Sequence, residues 1–236
     1  MFSLFGKKDK KKVDPPPSET HPMLYDLRET LYTRASLDPF LARLKEDSKS
    51  AFPWSNFFEA NEAIKAGDNA RAIPLLKQIV EKEGLNTRIY LQAWHTLRSL
   101  DEWPPESQRG YLQGVVVENH MDHGLDIVAA YRDYTARYWN YSGTGVVWEA
   151  RDREIDQLIV DLLAVGDAIM KQIGLGQHET PPVPEKGYLR IYLMAYDGSC
   201  FGHGLFEQLS RDKMGNAAIG AAINLMNGLT KKKEKK

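Results

Sequence analysis

Residues 112–149 read LQGVVVENHMDHGLDIVAAYRDYTARYWNYSGTGVVWE. Turn-forming residues interrupt this stretch at short intervals, and β-branched and aromatic residues fill the runs between them. The pattern predicts four short antiparallel strands in a meander, at about 112–118, 124–131, 136–141 and 146–149. Along the first run Val115 and Val117 face one way and Val116 and Glu118 the other, so neither side is wholly polar. Such a sheet has to bury a face, and the flanking segments should supply the cover.

Downstream, Asp152 is placed to cap a helix running to Ile173. Ile155, Leu158, Ile159, Leu162, Leu163, Ile169, Met170 and Ile173 fall on one stripe, too apolar to leave in water, so this helix should lie on the sheet. Gly174 stops it. Asp197-Gly198 is a strong two-residue turn between strands at 187–196 and 199–206. A closing helix at 216–229 carries Ile219, Ala222, Ile223, Met226 and Leu229, and its small residues Ala217, Ala218, Gly220 and Ala221 suit close packing. The order of this part is ββββ-α-ββ-α.

Upstream the periodicity is helical. Leu24, Leu27 and Leu31 share a face, and Asp38 is read as a helix N-cap, with Pro39 at the first helical position and Phe40, Leu41 and Leu44 behind it. Ser55 is read as capping a helix to Ala66, and Asp68 a second to Lys82. A third, at 87–100, carries Ile89, Ala93, Trp94 and Leu97. Pro104-Pro105 marks the boundary between the halves. The expected fold is therefore α+β: a helical region packed on a mainly antiparallel sheet covered by two helices. The expected organisation is a disordered basic tail at 1–18, a helical region at 19–103, an α+β domain at 106–229 and a basic tail at 230–236.

The string AGDNARAIPLL, with its surroundings at 55–84, resembles the middle of a tetratricopeptide repeat. The resemblance implies a helical hairpin in which Ala60 and Ala72 let the two helices approach and Gly67 makes the turn. Pro74 departs from the pattern and no second full repeat follows, whereas arrays need about three. A hairpin leaning on the rest of the protein is expected, not a solenoid.

Charge argues against a nucleic-acid-binding body. The chain has a net charge of -1, but residues 7–12 and 231–236 each carry a net +4, which leaves -9 between them. The lysine ends, with Phe2, Leu4 and Phe5 beside the first, suit only a weak contact with an anionic membrane or nucleic acid. Cys200 is the only cysteine, which fits a reducing cytoplasm. No run approaches the length of a membrane span and no secretory signal is evident, so no transmembrane segment is expected.

Each chemical candidate competes with a plainer reading. His120, Asp122 and His123, with Cys200 and His203 elsewhere, are the residue types of a metal-dependent hydrolase; the plainer reading is polar turn residues and a buried thiol. Cys200 as a nucleophile lacks a same-face histidine, because His203 lies an odd number of strand positions away. The glycines at 198–204 and 143–145 do not have phosphate-loop spacing. Tyr131, Tyr134, Tyr138, Trp139, Tyr141 and Trp148 fall on both strand faces, which favours packing over base stacking. Asp152, Glu154, Asp156 and Asp161 read as the solvated face of the covering helix.

The leading functional expectation is a non-catalytic binding or adaptor protein that holds a protein partner, with no cofactor. Trp54, Phe57, Phe58, Tyr90 and Trp94 are the candidate contact residues, since aromatics concentrate at interface centres; core of the hairpin is the competing assignment.

Overall fold

A computed structural model describes residues 22–33, 36–44, 48–176 and 181–233. The expectations for 1–18 and for the last three residues lie outside these. Six strands form one antiparallel sheet: β1 (Leu112–Met121), β2 (Gly124–Tyr131), β3 (Ala136–Trp139), β4 (Gly145–Trp148), β5 (Tyr188–Ala195) and β6 (Gly198–Leu205). Their spatial order is β4-β3-β2-β1-β5-β6, with β1 and β2 paired from Gly114↔Tyr131 to Met121↔Gly124. The meander is thus present, and the later hairpin adds to its far side through β1–β5.

Helices α6 (Arg153–Ile173) and α8 (Lys213–Lys233), with the short α7 (Phe206–Leu209) before α8, cover one face. Asp152 caps α6 as its sequence requires, accepting from the amides of Glu154 at 3.0 Å and Ile155 at 3.2 Å. Val115, Val117, Val128, Ile191 and Leu193 meet Ile155, Ile159, Leu162, Ile219, Ala222 and Leu225 in this core. Ile173, expected on the stripe, is exposed, while Ile169 and Met170 before it are buried. Gly228 on α8 is what allows the two helices to meet: a Cβ there would stand 2.6 Å from Leu158 Cδ1.

The opposite face is covered as well, by α1 (Pro22–Tyr32) and α5 (Thr87–Ser99). Leu24, Leu31, Tyr32 and Leu91 pack on Val116, Ile127, Ala129, Tyr131 and Met194. Around α5, the helices α2 (Leu37–Ala42), α3 (Trp54–Lys65) and α4 (Asn69–Glu81) enclose a separate apolar cluster, with Ala60 and Ala72 fully buried. Asp68 caps α4, accepting from Arg71 N at 3.1 Å. Ser55 does not cap α3; Pro53 holds that position and Ser55 lies in the first turn. The helical layer is tied to the sheet by Asp133 in the β2–β3 turn, whose Oδ2 accepts from Thr87 N at 2.7 Å. A second tie is Tyr196, which packs on both clusters while its carbonyl accepts from Arg98.

Several boundaries differ from the sequence reading. β1 runs past 118 to Met121, β3 stops at Trp139, and α8 begins at Lys213. Ser36, not Asp38, holds the cap position of α2, and Asp38 lies in its first turn. The β5–β6 loop is Tyr196-Asp197, with Ala195 paired to Gly198, so Gly198 already belongs to the strand. The loop is set by long-range contacts: Tyr196 reaches Tyr90 and Trp94, and Asp197 accepts from Gly110 N at 3.1 Å. Helix α8 continues past Leu229 to Lys233, because Lys232 pairs with Asp152 at 2.7 Å and Glu154 at 3.2 Å.

A charged cluster lies inside the second core. Glu118, fully buried on β1, accepts from Arg28 Nε at 2.5 Å and Arg28 Nη2 at 3.2 Å, and from Arg190 Nη1 at 3.4 Å. Both arginines are buried, and both reach on to the proline loop: Arg28 donates to Pro181 O at 2.5 Å, and Arg190 to Pro182 O. A charge in such a place is tolerated only when paired and hydrogen-bonded. Here it joins α1, β1, β5 and the 181–184 loop. The Tyr32 hydroxyl is buried beside it, and burial followed by the Glu118 charge holds that phenol well above its ordinary value.

Asp126, on β2, is the other buried acid among the described residues. Burial raises its carboxyl from 3.8 to about 6, against the pull of the Tyr141 amide at 3.1 Å and the Tyr138 hydroxyl at 3.4 Å. A carboxyl raised in the folded state contributes stability that is complete below its unfolded pKa and is lost as pH rises through the folded one. Asp126 therefore weakens the fold between about pH 4 and pH 6 and stays costly above it. Asp126→Asn, which keeps both contacts without the charge, should gain roughly 2–3 kcal/mol at pH 7.5 and almost nothing at pH 4. Urea melts of both proteins at the two pH values check this; a difference that is flat with pH would contradict it.

Candidate functional site

A cavity of about 280 Å³ lies between the helical layer and the end of β4. Five separate pieces of chain build it. Helix α1 contributes Thr30 and the residue after its end, Thr33. Helix α2 contributes Phe40 and the following Arg43, and α3 its first residue, Trp54. The start of α5 gives Arg88, Ile89 and Gln92 after its cap, Asn86, and Glu149 follows β4. The interior is mainly apolar, and the charged groups lie at the rim.

Local structure fixes these side chains. Asn86 Oδ1 accepts from Arg88 N at 3.0 Å and from Arg88 Nε at 3.4 Å, so capping the helix also aims the arginine. The Arg88 guanidinium stands 5.8 Å from the Tyr131 ring centroid. Phe40 and Trp54 pack on each other at 6.0 Å and share Phe57 beneath them. Glu149 is held by Arg137 at 2.5 Å. Burial, and then the charge of Arg88, lowers the Arg137 pKa, so this corner is rich in positive charge. Thr33 has φ +48°, a left-handed conformation that a β-branched residue rarely adopts. Strain of this kind persists only where the surroundings impose it, and binding sites are one such place.

The expected contact aromatics divide into two groups. Phe57 and Trp94 are buried in the hairpin core, whereas Trp54, Phe58 and Tyr90 are half-buried. Only Trp54 lines the cavity. Phe58 lies under the Lys49 ammonium at 5.4 Å, and Tyr90 donates to Lys82 O at 2.5 Å. Phe40, Ile89, Arg43 and Arg88 escaped the sequence reading as site residues. Their periodicity marks helix faces, and nothing local indicates that the faces of α1, α2, α3 and α5 leave a gap between them.

The metal candidates do not converge. His120 lies on β1, before the Asp122-His123 turn, with Nδ1 2.7 Å from Pro184 O. His123 meets the Tyr141 ring edge-on at 4.7 Å, and Asp122 pairs with Lys186 at 3.3 Å. Among the described residues no three His, Cys, Asp or Glu side chains are arranged to hold a metal ion. Cys200 is buried under α6 and α8, and burial pushes its thiol up to about 11, which disfavours the thiolate. His203 stacks on Tyr188 at 5.1 Å on the other face. Tyr131, Trp139 and Trp148 are buried in the two cores, so these aromatics are packed. Among the described residues no helix is long and apolar enough to cross a membrane. Comparison with protein-family models, with curated proteins and with solved structures found no match to this chain in any of the three.

Proposed function

We propose that the protein is a non-catalytic binding or adaptor protein, and that a protein partner anchors in the cavity at Trp54, Phe40 and Ile89. The observation that carries this reading is the cavity itself: a preformed apolar recess rimmed by charge, the usual form of an anchor site. The tetratricopeptide-like hairpin at 55–84 agrees with it only in placing Trp54, the first residue of α3, at the cavity. In this reading the helical region at 19–103 makes the contact and the sheet at 106–229 supports it. A lone buried Cys200 suits a reducing compartment, and the cytoplasm is the proposed location.

Filling the cavity tests the reading. Thr30→Trp places an indole in the recess, against Phe40 and Trp54, and leaves the buried Phe57 ring in place. It should abolish retention of a stoichiometric partner from the native lysate while the melting temperature stays within a few degrees. Unchanged retention by a well-folded Thr30→Trp protein would remove the cavity from the account.

A further inference from the structure

We infer that the partner segment is acidic: it places one large apolar side chain in the cavity and carboxylates against Arg43 and Arg88 at the mouth. This rests on the protein-binding reading of the cavity and specifies the chemistry of the partner. Three observations carry it. First, the volume of about 280 Å³ has room for one aromatic or branched side chain, not for a length of folded chain. Second, the mouth is cationic. Arg43 is exposed just after α2, and Arg88 stands in the first turn of α5. Neither forms an ion pair with a described carboxylate, and the one described acid in the lining, Glu149, is already engaged by Arg137. Third, Arg88 is aimed in advance by Asn86 and by the Tyr131 ring, which reduces the ordering cost of an ionic contact.

The acidic body of the chain does not oppose this, because steering depends on the local potential at the mouth. An arginine fork matches a carboxylate in two parallel hydrogen bonds, so a segment with aspartate or glutamate beside its apolar anchor would be both attracted and held in register.

The test uses capped, dye-labelled pentapeptides read by fluorescence anisotropy against the full chain. One carries tryptophan flanked by glutamates, one tryptophan flanked by lysines, and one alanine flanked by glutamates. Indole-3-acetate serves as a small carboxylate competitor. The glutamate–tryptophan peptide should bind at least about tenfold more tightly than either of the others. Its affinity should fall about tenfold in the double variant Arg43→Glu, Arg88→Gln, and should weaken steeply with salt. If the lysine peptide binds as well, or the double variant binds unchanged while Thr30→Trp still blocks, the acidic chemistry is wrong and the cavity reading survives. Tighter binding of indole-3-acetate than of the peptide would overturn the inference in favour of a small-molecule ligand. Failure of all three peptides, or binding indifferent to Thr30→Trp, overturns it together with the site.

Discussion

Replacing Glu118 by alanine is expected to cost the fold about 3–5 kcal/mol, the penalty for removing one member of a buried ion cluster. Two arginines lose their contact with Glu118 at once. Arg28 and Arg190 are buried, and the carbonyls of Pro181 and Pro182 do not neutralise them. Against a total stability of about 5–15 kcal/mol this is a large fraction, so the variant should unfold at far lower urea than the natural protein. The triple replacement Arg28→Met, Glu118→Leu, Arg190→Met should recover most of the loss, because a well-packed apolar set of similar volume is often as stable as a buried ion cluster. It should not recover the loop. With the arginines gone, the 181–182 carbonyls lose the donors seen among the described residues, and the Val183 amide should exchange faster even though the protein is stable again. Equal melts for Glu118→Ala and the natural protein would mean that water reaches the cluster and the burial argument fails.

The second large effect is expected at Phe57. Its ring is fully buried, T-shaped against Phe40 at 5.3 Å and stacked with Trp54 at 6.2 Å. Phe57→Ala should cost about 3–5 kcal/mol, the sum of lost burial and the cavity left behind. Trp54 is half-buried at the edge of the same cluster, so Trp54→Ala should cost less in stability and more in binding. The two neighbours thus separate a structural role from a contact role. Equal stability losses at both positions, with no specific effect of Trp54→Ala on the partner, would assign the whole aromatic group to the core.

These two sites also show where the sequence is informative. The strands, the two covering helices and the α3–α4 hairpin follow from local signals: a period of two in 112–149, the caps Asp68 and Asp152, and the glycines at 67 and 174. Such signals involve residues a few positions apart, so a linear reading captures them. Glu118 was legible only as an acid among valines. Its partners lie 90 and 72 residues away, and no local pattern links them. The β5–β6 loop shifts by one residue for the same reason, since Tyr196 is fixed by Tyr90 and Trp94 on another element. The cavity is the extreme case, a gap left by faces of four helices and one strand end. Trp54 is legible as a candidate because aromatics concentrate at interface centres. Arg43 and Arg88 are not, because surface arginines on helices are ordinary.

The most direct test of the binding site is photo-crosslinking in the native cell. A benzophenone amino acid placed at Ile89, inside the cavity, is compared with the same residue at Val160, exposed on α6 away from it. The account predicts one dominant protein adduct from position 89, lost when Thr30→Trp is added, and none from position 160. The same adducts from both positions, or none from position 89 in a folded protein, would contradict it.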